Sequence, residues 1–420
     1  MRRLSAVALV AAFVIAACGG GGTSGPAASG AASTTAAAAV NVPDTVHLAA
    51  SLPLTGADAS IAKIMKDSYE LYFKQLNDAG GLLVGNKKVK FDLKIEDNKG
   101  DAAASGQIYE KFITQDNIDL LLGGYNTTIT TQEVKVANRY KIPYVGGGGA
   151  SSSIYVDNVW AVGVLASIEK LAATQLDFIK TQQDANKLPK PLKIAVAYEN
   201  SSHGKEFLKG LQEGEKAAPD RFKIVFNETF DLNGKDYTSL LNKVKDANAD
   251  AYMVDARVAD YILMQTQYKQ LGMYHAYLTY GPRGPEKAAR DALKDSSDYI
   301  TAATWFDSQM PGDVIKKWLD TFKVTGDSPE WYAASAWECA RILTGAVQKG
   351  QTIDKQKIRD ILFSTSWDGS LFPGGTIKFG ATGQANNDYV MTQNTPNGAR
   401  ILIWPKDLQT GTATIPLPKK

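Results

Sequence analysis

A glycine pair followed by two threonines is the first feature of this chain that could do binding chemistry. Thr127 and Thr128 come shortly after Gly123 and Gly124 and open a predicted helix. The free N–H groups and the dipole at a helix N-terminus favour an anion, and the two hydroxyl groups add hydrogen-bond donors. The alternative is that one threonine only caps its helix.

A run of glycines over residues 146–149 precedes Ala150 and Ser151. Glycine has no side chain, so such a run lets the backbone approach a bound molecule closely. A flexible loop without a ligand is the alternative. Together, the two turns predict contacts with a small ligand.

No catalytic motif accompanies these turns. The chain has no Gly-x-Ser-x-Gly elbow, no His-Glu-x-x-His and no Walker loop. Its histidines, His47, His203 and His275, are far apart and lack the spacing of a metal site. A hydrolase that uses two carboxylates has no sequence signature and stays open as an alternative. We therefore expect a binding protein rather than an enzyme, with no catalytic residue, cofactor or bound metal.

The length and the charge of the chain further limit the classes of protein to which it can belong. A chain of 420 residues is too long for one small core, which predicts two domains or lobes. It has 46 Lys and Arg against 44 Asp and Glu, and two of the basic residues, Arg2 and Arg3, lie in the predicted signal peptide. The remaining chain is neutral and lacks the basic surface of a nucleic-acid-binding protein. Nucleic acid is therefore not an expected partner.

The N-terminus has the order of features typical of an exported protein. The apolar run over residues 4–17 is shorter than the about 20 residues needed to cross a bilayer, and with Arg2 and Arg3 before it predicts a signal peptide over 1–17. The run ends in Val14-Ile15-Ala16-Ala17-Cys18, which resembles the lipobox of bacterial lipoproteins, whose cysteine is acylated. A plain signal peptide with an incidental cysteine is the alternative.

Residues 18–44 continue as a segment dominated by Gly, Ala, Ser and Thr. Such a segment cannot bury enough apolar surface to offset its ordering entropy, which predicts a flexible tether between a lipidated Cys18 and a folded body. The second cysteine, Cys339, has apolar neighbours and is expected to be a buried thiol.

Strand and helix patterns alternate through the rest of the chain. Apolar strands are predicted over residues 46–53, 89–95, 119–123, 142–145, 193–198, 222–230, 251–255 and 277–280, with amphipathic helices between them, including one over 127–140. This pattern predicts an α/β fold of two doubly wound parallel-sheet lobes joined by a hinge. A strand over 299–306 and the helices after it are expected to return to the first lobe, and antiparallel strands are expected over 374–404. We assign 45–164 plus 303–374 to lobe I and 165–302 plus 375–410 to lobe II, with the ligand in the cleft between them.

Short motifs carry a family resemblance over residues 46–405. They are Ser51-Leu52-Pro53-Leu54-Thr55-Gly56, Asn77-Asp78-Ala79-Gly80-Gly81, Glu96-Asp97-Asn98, Leu122-Gly123-Gly124-Tyr125-Asn126-Thr127-Thr128, Ile142-Pro143-Tyr144-Val145 and Asp236-Tyr237. In order and spacing they resemble the type I periplasmic binding proteins, in the branched-chain amino-acid-binding group that feeds ABC importers, here in lipoprotein form.

The resemblance implies the type I periplasmic binding protein fold and a receptor in the periplasm or cell envelope that captures a small molecule by hinge closure. Its implied partners are the ligand and an ABC permease with its ATPase, and the membrane is reached only through the lipid anchor. A monomer is expected. A ligand sensor for a signalling system, which uses the same fold, is the alternative class.

The resemblance also places ligand-binding residues, which are Tyr125, Asn126, Thr127, Thr128, Ala150, Ser151, His203, Arg257 and Arg283. Two of them depart from the family pattern. Gly281-Pro282-Arg283-Gly284 has arginine where amino-acid-binding members resemble Gly-Pro-Glu-Gly, with a glutamate that holds the ligand's ammonium group. Arg257 stands where the family often has tyrosine.

An arginine fork suits a carboxylate and repels an ammonium group in a closed cleft. We therefore predict a small organic anion, a carboxylate, as the ligand. An aliphatic or branched-chain amino acid or an amide is the alternative, with Asp255 as the ammonium partner. Either arginine could instead point to solvent or pair with Asp255 or Asp260.

Overall fold

Strands and helices alternate along residues 42–419, the part of the chain that this computed structural model describes. The first sheet is mostly parallel and has the strand order β2-β3-β1-β4-β5-β6, with only β2 antiparallel to its neighbour. Its strands are β1 (Thr45–Leu52), β2 (Leu82–Val84), β3 (Lys87–Asp97), β4 (Leu120–Leu122), β5 (Tyr144–Gly146) and β6 (Ala161–Gly163).

The second sheet has the strand order β15-β14-β11-β10-β9-β7-β8. The strands β7 to β11 are parallel, whereas β14 and β15 are antiparallel additions at one edge. A separate hairpin pairs β12 with β13. These strands are β7 (Leu192–Glu199), β8 (Phe222–Phe230), β9 (Ala251–Asp255), β10 (Tyr277–Tyr280), β11 (Thr301–Thr304), β12 (Ser366–Asp368), β13 (Thr376–Lys378), β14 (Val390–Asn394) and β15 (Arg400–Trp404). We call the first sheet with its helices lobe I, and the second lobe II.

Helices cover both faces of the sheets, which is why the central strands are apolar throughout. The helix α1 shows how the pattern works: Ile61, Met65, Tyr69 and Phe73 recur every four residues and are all buried. The helices are α1 (Ala59–Asp78), α2 (Ala102–Thr114), α3 (Thr127–Tyr140), α4 (Ile168–Asp184), α5 (Ser202–Ala217), α6 (Thr238–Asp246), α7 (Val258–Gln270), α8 (Lys287–Leu293), α9 (Asp313–Phe322), α10 (Trp331–Gly350) and α11 (Lys355–Ser364).

The strand order determines where a ligand can lie. In both sheets the first parallel strand along the chain lies between the second and the third. The direction in which successive strands are added therefore reverses between β1 and β4 and between β7 and β9. Ligands of open parallel sheets bind beyond the carboxyl ends of the strands at such a reversal. The predicted α/β fold of two parallel-sheet lobes is confirmed, and so are the antiparallel strands near the C-terminus.

The chain crosses between the lobes after β6, after β11 and before β14. The prediction that the strand over 299–306 returns to the first lobe is wrong, because β11 pairs with β10 and β14 in the second sheet. The chain is back in the first lobe by helix α10. The long helix α10 packs on α1, with Ser68 donating a hydrogen bond to the carbonyl of Ala333 at 2.7 Å and Tyr72 packed edge-on against Trp337.

Residues 1–41 lie outside the described part of the chain, and with them the predicted signal peptide, the acylated Cys18 and most of the tether. Val42 is 5% exposed and belongs to the core, so the last residues of the predicted tether pack on the folded body. Cys339 is fully buried, as predicted, and burial raises the pKa of its thiol. Within residues 42–419 no helix combines the length and the apolar character needed to cross a membrane.

Candidate ligand-binding site between the lobes

A small closed pocket lies at the carboxyl ends of the strands, with walls from both lobes. It is lined by Asn126, Thr127, Gly148, Ala150, Leu165, Glu199, His203, Arg257, Arg283, Trp305 and Trp331. Its cavity volume is only about 10 Å³. That is room for about one water molecule. The lobes are therefore closed on each other, and entry of a small-molecule ligand requires them to open.

The turn after β4 brings Asn126 and Thr127 to the pocket. Asn126 has a φ of 67°, and its side-chain oxygen accepts a hydrogen bond from Ile129 N at 3.1 Å, so it caps α3. Thr127 is 5% exposed, and its hydroxyl has no hydrogen-bond partner among the described residues. Thr128 is exposed and is not part of the pocket wall. Of the two threonines only Thr127 faces the pocket, and neither is the cap.

The four-glycine turn is packed tightly and is not a loose loop. A Cβ on Gly148 would lie 2.1 Å from the carbonyl oxygen of Gly124, so glycine is required where these two backbones meet. Ala150 lines the pocket. Ser151 is fully buried beside Ser153, with 3.0 Å between their hydroxyls, and lies outside the pocket wall.

Arg283 is the most unusual group in the pocket. It is 6% exposed, and its guanidinium carbon lies 5.2 Å from the ring centre of Trp331, 5.6 Å from Tyr332 and 6.0 Å from Tyr125. Nη2 donates to the hydroxyl of Tyr125 at 3.1 Å, whereas Nε and Nη1 have no hydrogen-bond acceptor within residues 42–419. Three aromatic faces attract the cation, but unpaired buried donors are costly. An acceptor brought by a ligand would satisfy them.

The acid nearest to Arg283 does not supply that acceptor. Nη1 of Arg283 lies 3.5 Å from Oε1 of Glu286, beyond good hydrogen-bond distance. Burial raises the pKa of Glu286 to about 8, against the opposing effect of Arg283. Burial lowers the pKa of Arg283, but its neighbours, among them Glu286 and Asp255, raise it overall, so the guanidinium group keeps its positive charge.

Arg257 connects the lobes. Its Nη1 donates to Oδ2 of Asp58 in lobe I at 3.2 Å, and its Nε lies 3.8 Å from Oε2 of Glu199 at the end of β7. Arg257 thus pairs with Asp58 and Glu199, and not with Asp255 or Asp260. The acid nearest to Arg283 is Glu286, and Arg283 is withdrawn from solvent. Arg257 is already neutralised by two carboxylates, so Arg283 is the arginine available to an anion.

His203 begins the matching turn of lobe II. Its Nδ1 lies 2.7 Å from Oδ2 of Asp255. Burial lowers the pKa of His203, but the Asp255 carboxylate more than compensates, and the net pKa is raised. Glu199, His203 and Asp255 are the group in residues 42–419 whose ligand atoms, all within 4.8 Å, could hold a metal ion. The charge of Arg257 beside Glu199 disfavours a cation there.

Several pocket groups were not found from the sequence. Asp58 directly precedes α1 without capping it, and Glu199 ends β7. Both positions could have been identified because they lie at carboxyl-end turns of the predicted strands. Trp305 and Trp331 carried no local signal, since they reach the pocket from the chain segment that returns to lobe I. The structure brings together most of the predicted residues. Thr128 and Ser151 are the two that it leaves outside the pocket wall, and Tyr125 contacts the site through Arg283.

Comparison with known proteins agrees with this architecture. Residues 45–399 match the model of the periplasmic binding protein family. A Leu/Ile/Val-binding protein homologue of Brucella abortus is 22% identical over 376 residues, covering 86% of this chain and 91% of the relative.

Two solved structures share the fold. A leucine-binding protein from Thermotoga maritima superposes with a TM-score of 0.76 at 15% identity, covering 86% of this chain and all of the other. A solute-binding protein from R. palustris in complex with 4-hydroxybenzoate superposes with a TM-score of 0.73 at 15% identity, covering 88% of this chain and 98% of the other. These proteins bind solutes and are not enzymes. The chain belongs to the periplasmic binding protein family.

Proposed function

We propose that this extracytoplasmic receptor of an ABC importer closes its lobes around a small organic anion whose carboxylate pairs with Arg283. The observation that carries the proposal is a buried guanidinium group with two unsatisfied N–H donors. A carboxylate accepts from two nitrogens along one edge of the guanidinium group, Nε with Nη2 or Nη1 with Nη2, so it would satisfy one of the two unpaired donors and share Nη2 with Tyr125.

The rest of the pocket suits a ligand with an apolar or aromatic body. Trp305 and Trp331 line it together with Leu165 and Ala150, and an unpartnered hydroxyl on Thr127 can hydrogen-bond a second polar group. The likeness to a protein solved with 4-hydroxybenzoate supports an aromatic carboxylate as one such ligand.

An amino acid is the second candidate, and a specific observation favours it. Glu199 lines the pocket, and two more acids contact lining residues: Asp255 lies beside His203 and Asp58 pairs with Arg257. These acids could receive an ammonium group while Arg283 receives the carboxylate of the same ligand. The likeness to a leucine-binding protein supports this alternative.

Delivery to a permease and its ATPase would follow from lobe closure, since only the closed form presents both lobes in one arrangement. We propose that Cys18 carries the lipid that keeps a monomeric receptor at the membrane. Mass spectrometry of the protein from membranes tests this: an acylated N-terminal Cys18 is expected, and a mature chain that begins elsewhere without lipid would contradict it. A sensor role would be favoured if the gene lies beside a sensor kinase and not beside a permease.

Matched ligand pairs can separate the two ligand classes. We would measure thermal shifts and calorimetric titrations with 4-hydroxybenzoate and 4-hydroxybenzamide, and with leucine, 4-methylpentanoate and leucinamide. A ligand at a hundred times its dissociation constant stabilises the folded protein by about 2.7 kcal/mol, which is a readable shift.

Binding of either acid that lacks an ammonium group supports the anion proposal. Binding of leucine without 4-methylpentanoate would favour the amino acid. Binding of leucinamide or 4-hydroxybenzamide as tightly as the matched carboxylate would contradict any role for Arg283 in holding a carboxylate.

A further inference from the structure

A carboxylate of lobe II accepts two backbone hydrogen bonds from lobe I. The chain forms a single 3₁₀ turn over Ser152–Tyr155, just after the four-glycine turn of lobe I. Oε2 of Glu206, in α5 of lobe II, accepts from Ser152 N at 2.7 Å, and Oε1 accepts from Ser153 N at 3.1 Å. Both oxygens of this one side chain are therefore bonded across the cleft.

The 3₁₀ turn has no cap of its own. The first N–H groups of a helical segment have no acceptor within it, and the side chain at the preceding position commonly supplies one. That position is Ser151, whose side chain makes no cap hydrogen bond and lies beside the hydroxyl of Ser153 instead. Ser152 and Ser153 therefore obtain the acceptors for their N–H groups from the other lobe.

The contact is withdrawn from water and has a second support. Glu206 is 8% exposed, and hydrogen bonds from backbone N–H groups to an ionised acceptor are roughly twice as strong as neutral ones. Oε1 of Glu169, in α4 of lobe II, accepts from the Ser152 hydroxyl at 2.9 Å, and Lys209 pairs with the same oxygen at 3.2 Å. The bonds that join the lobes at this wall are thus made by groups of the protein itself.

The contact adjoins the pocket on both sides of the cleft. Glu206 lies one turn after His203 on α5, and Ser152 follows Ala150 by two residues. Both His203 and Ala150 line the pocket. A ligand can enter or leave only when the lobes part, and parting at this wall breaks both bonds to Glu206. The same two bonds therefore oppose ligand entry and ligand exit.

We propose that Glu206 is a positioning residue that latches the lobes shut, so that the closed form is populated before a ligand binds. Release of this latch then limits both entry and exit of the ligand. The proposal goes beyond the choice of ligand, because it depends on contacts within the protein and is the same for an anion and for an amino acid.

The kinetic consequence differs from that of a lost ligand contact. Loss of a group that only touches the ligand speeds dissociation and leaves association nearly unchanged. A latch stabilises the closed form with and without ligand by the same bonds, so its loss speeds association and dissociation together. Their ratio, the dissociation constant, changes much less than either rate. For two hydrogen bonds to a carboxylate, each exchanged for a bond to water, we expect a rise of about tenfold or more in both rates.

Glu206→Gln breaks the latch, because both carboxylate oxygens accept from N–H groups and the NH₂ group of glutamine would face one of these donors. Glu213→Gln is the matched control. Glu213 lies about two turns later on the same face of α5, its side chain is 62% exposed, and its ion pair, with Lys209 at 3.9 Å, stays within lobe II.

A second pair of variants tests the same contact from lobe I. Ser152→Pro removes the N–H group from which Oε2 accepts, at the first position of a helical turn, where proline is tolerated. Ser151, with φ −65° and ψ 132°, already has an extended backbone that can precede proline. Ser152→Ala keeps the N–H group and removes only the hydroxyl bond to Glu169. The difference between these two variants therefore isolates the bond to Glu206.

Small-angle X-ray scattering gives the first readout, on protein that has been unfolded in urea and refolded to remove any bound ligand. We expect Glu206→Gln to have a larger radius of gyration than the wild type, Glu213→Gln to match the wild type, and Ser152→Pro to be more expanded than Ser152→Ala. A Glu206→Gln protein as compact as the wild type overturns the proposal, and so does an equal expansion of Glu213→Gln. If circular dichroism shows that Glu206→Gln has lost helix content, the comparison of Ser152→Pro with Ser152→Ala decides in its place.

Stopped-flow fluorescence gives the second readout, with Trp305 and Trp331 of the pocket wall as reporters and with 4-hydroxybenzoate and leucine as probes. For a probe that binds, both rate constants should rise about tenfold or more in Glu206→Gln and stay unchanged in Glu213→Gln. A rise in the dissociation rate alone overturns the proposal, because it marks a lost ligand contact. If only leucine binds, the anion proposal fails while the latch is tested as before, and if neither probe binds, the scattering result decides.

Discussion

Replacing Arg283 by glutamine should separate ligand affinity from protein stability. In most buried ion pairs the loss of one partner harms both, because a charge remains buried without compensation. Arg283 differs because two of its N–H donors are themselves unpaired within the described residues. We expect Arg283→Gln to lose its ligand and to keep its melting temperature.

The magnitudes can be worked from the contacts. A hydrogen bond to a charged group contributes about 1.5–3 kcal/mol, so loss of the two expected bonds to a carboxylate weakens binding by about 3–6 kcal/mol. This corresponds to a dissociation constant about 10² to 10⁴ times larger.

In the ligand-free protein the two changes oppose each other, a relief of about 2–6 kcal/mol for two donors against a loss of about 1.5–3 kcal/mol. Each unsatisfied donor that is removed relieves about 1–3 kcal/mol, while loss of the cation from its aromatic cage costs about 0.5–2 kcal/mol and loss of the hydrogen bond to Tyr125 about 1 kcal/mol.

The assay pairs calorimetric titration with thermal unfolding, and Arg290→Gln is the control. Arg290 lies in the adjacent helix α8, where its Nε donates to the carbonyl of Pro285 at 2.9 Å and its Nη1 to the carbonyl of Gly398, away from the pocket wall. The control should melt at a lower temperature and bind normally, the reverse of Arg283→Gln. An Arg283→Gln protein with wild-type affinity would refute the assignment of the carboxylate to this residue, and one with a greatly lowered melting temperature would refute the reading of Arg283 as an uncompensated charge.

Three further changes test the interlobe contact, the tight turn and a buried acid. Asp58→Asn removes the charge opposite Arg257, with which Asp58 forms a mostly buried pair at 3.2 Å. Calorimetric titration should show the affinity for the ligand lowered about tenfold. If Asp58→Asn has an equally large effect when Arg257 is also replaced, the pairing is contradicted. Gly148→Ala places a Cβ 2.1 Å from a carbonyl oxygen and should destabilise by about 3 kcal/mol or more in urea unfolding, whereas Gly106→Ala, whose Cβ meets nothing closer than 3.8 Å, should not destabilise. Burial raises the pKa of Glu133 to about 7, so the folded state holds a proton that the unfolded state releases near pH 4.5. Up to about 3 kcal/mol of the free energy of unfolding should therefore be lost between pH 4.5 and pH 8. Glu133→Gln should remove this loss, and a variant with the pH profile of the wild type would disprove the assignment to Glu133.

The parts of the fold that could be predicted are those encoded over short distances. The predicted helix over 127–140 and the predicted strands over 251–255 and 277–280 have the bounds found for α3, β9 and β10. Each is a periodic or apolar segment closed by glycine or by polar residues, so local pattern and final structure agree. The strand over 299–306 was assigned to the wrong lobe because an apolar strand carries no mark of which sheet it joins. That choice depends on the neighbours β10 and β14, the second of which lies almost ninety residues away.

The residues of the binding site likewise divide into those that local sequence predicts and those that it does not. Asn126, Thr127, Ala150, His203 and the two arginines could be found because they follow the ends of predicted strands. Partner choice could not, because it is decided between elements far apart in sequence: Asp58 and Arg257 are separated by 199 residues, and Arg283 and Tyr125 by 158. The lipidation and tether assignments, the lobe boundaries and the ligand contacts themselves stay predictions.

The pairing of Arg283 with Glu286 changes how the departure from the family pattern is understood. A simple exchange of glutamate for arginine would reverse the charge of the turn, but this turn still carries an acid three residues later. The arginine faces the pocket, while the acid faces Tyr332 and Trp331 in the other lobe. A buried acid that is mostly protonated can hold those rings without competing with a ligand for the guanidinium group, whereas an ionised one would neutralise Arg283 and leave the pocket with no free positive charge. If the proposed anion pairs with Arg283, ionisation of Glu286 should weaken ligand affinity, and its replacement by glutamine should remove this dependence of affinity on pH.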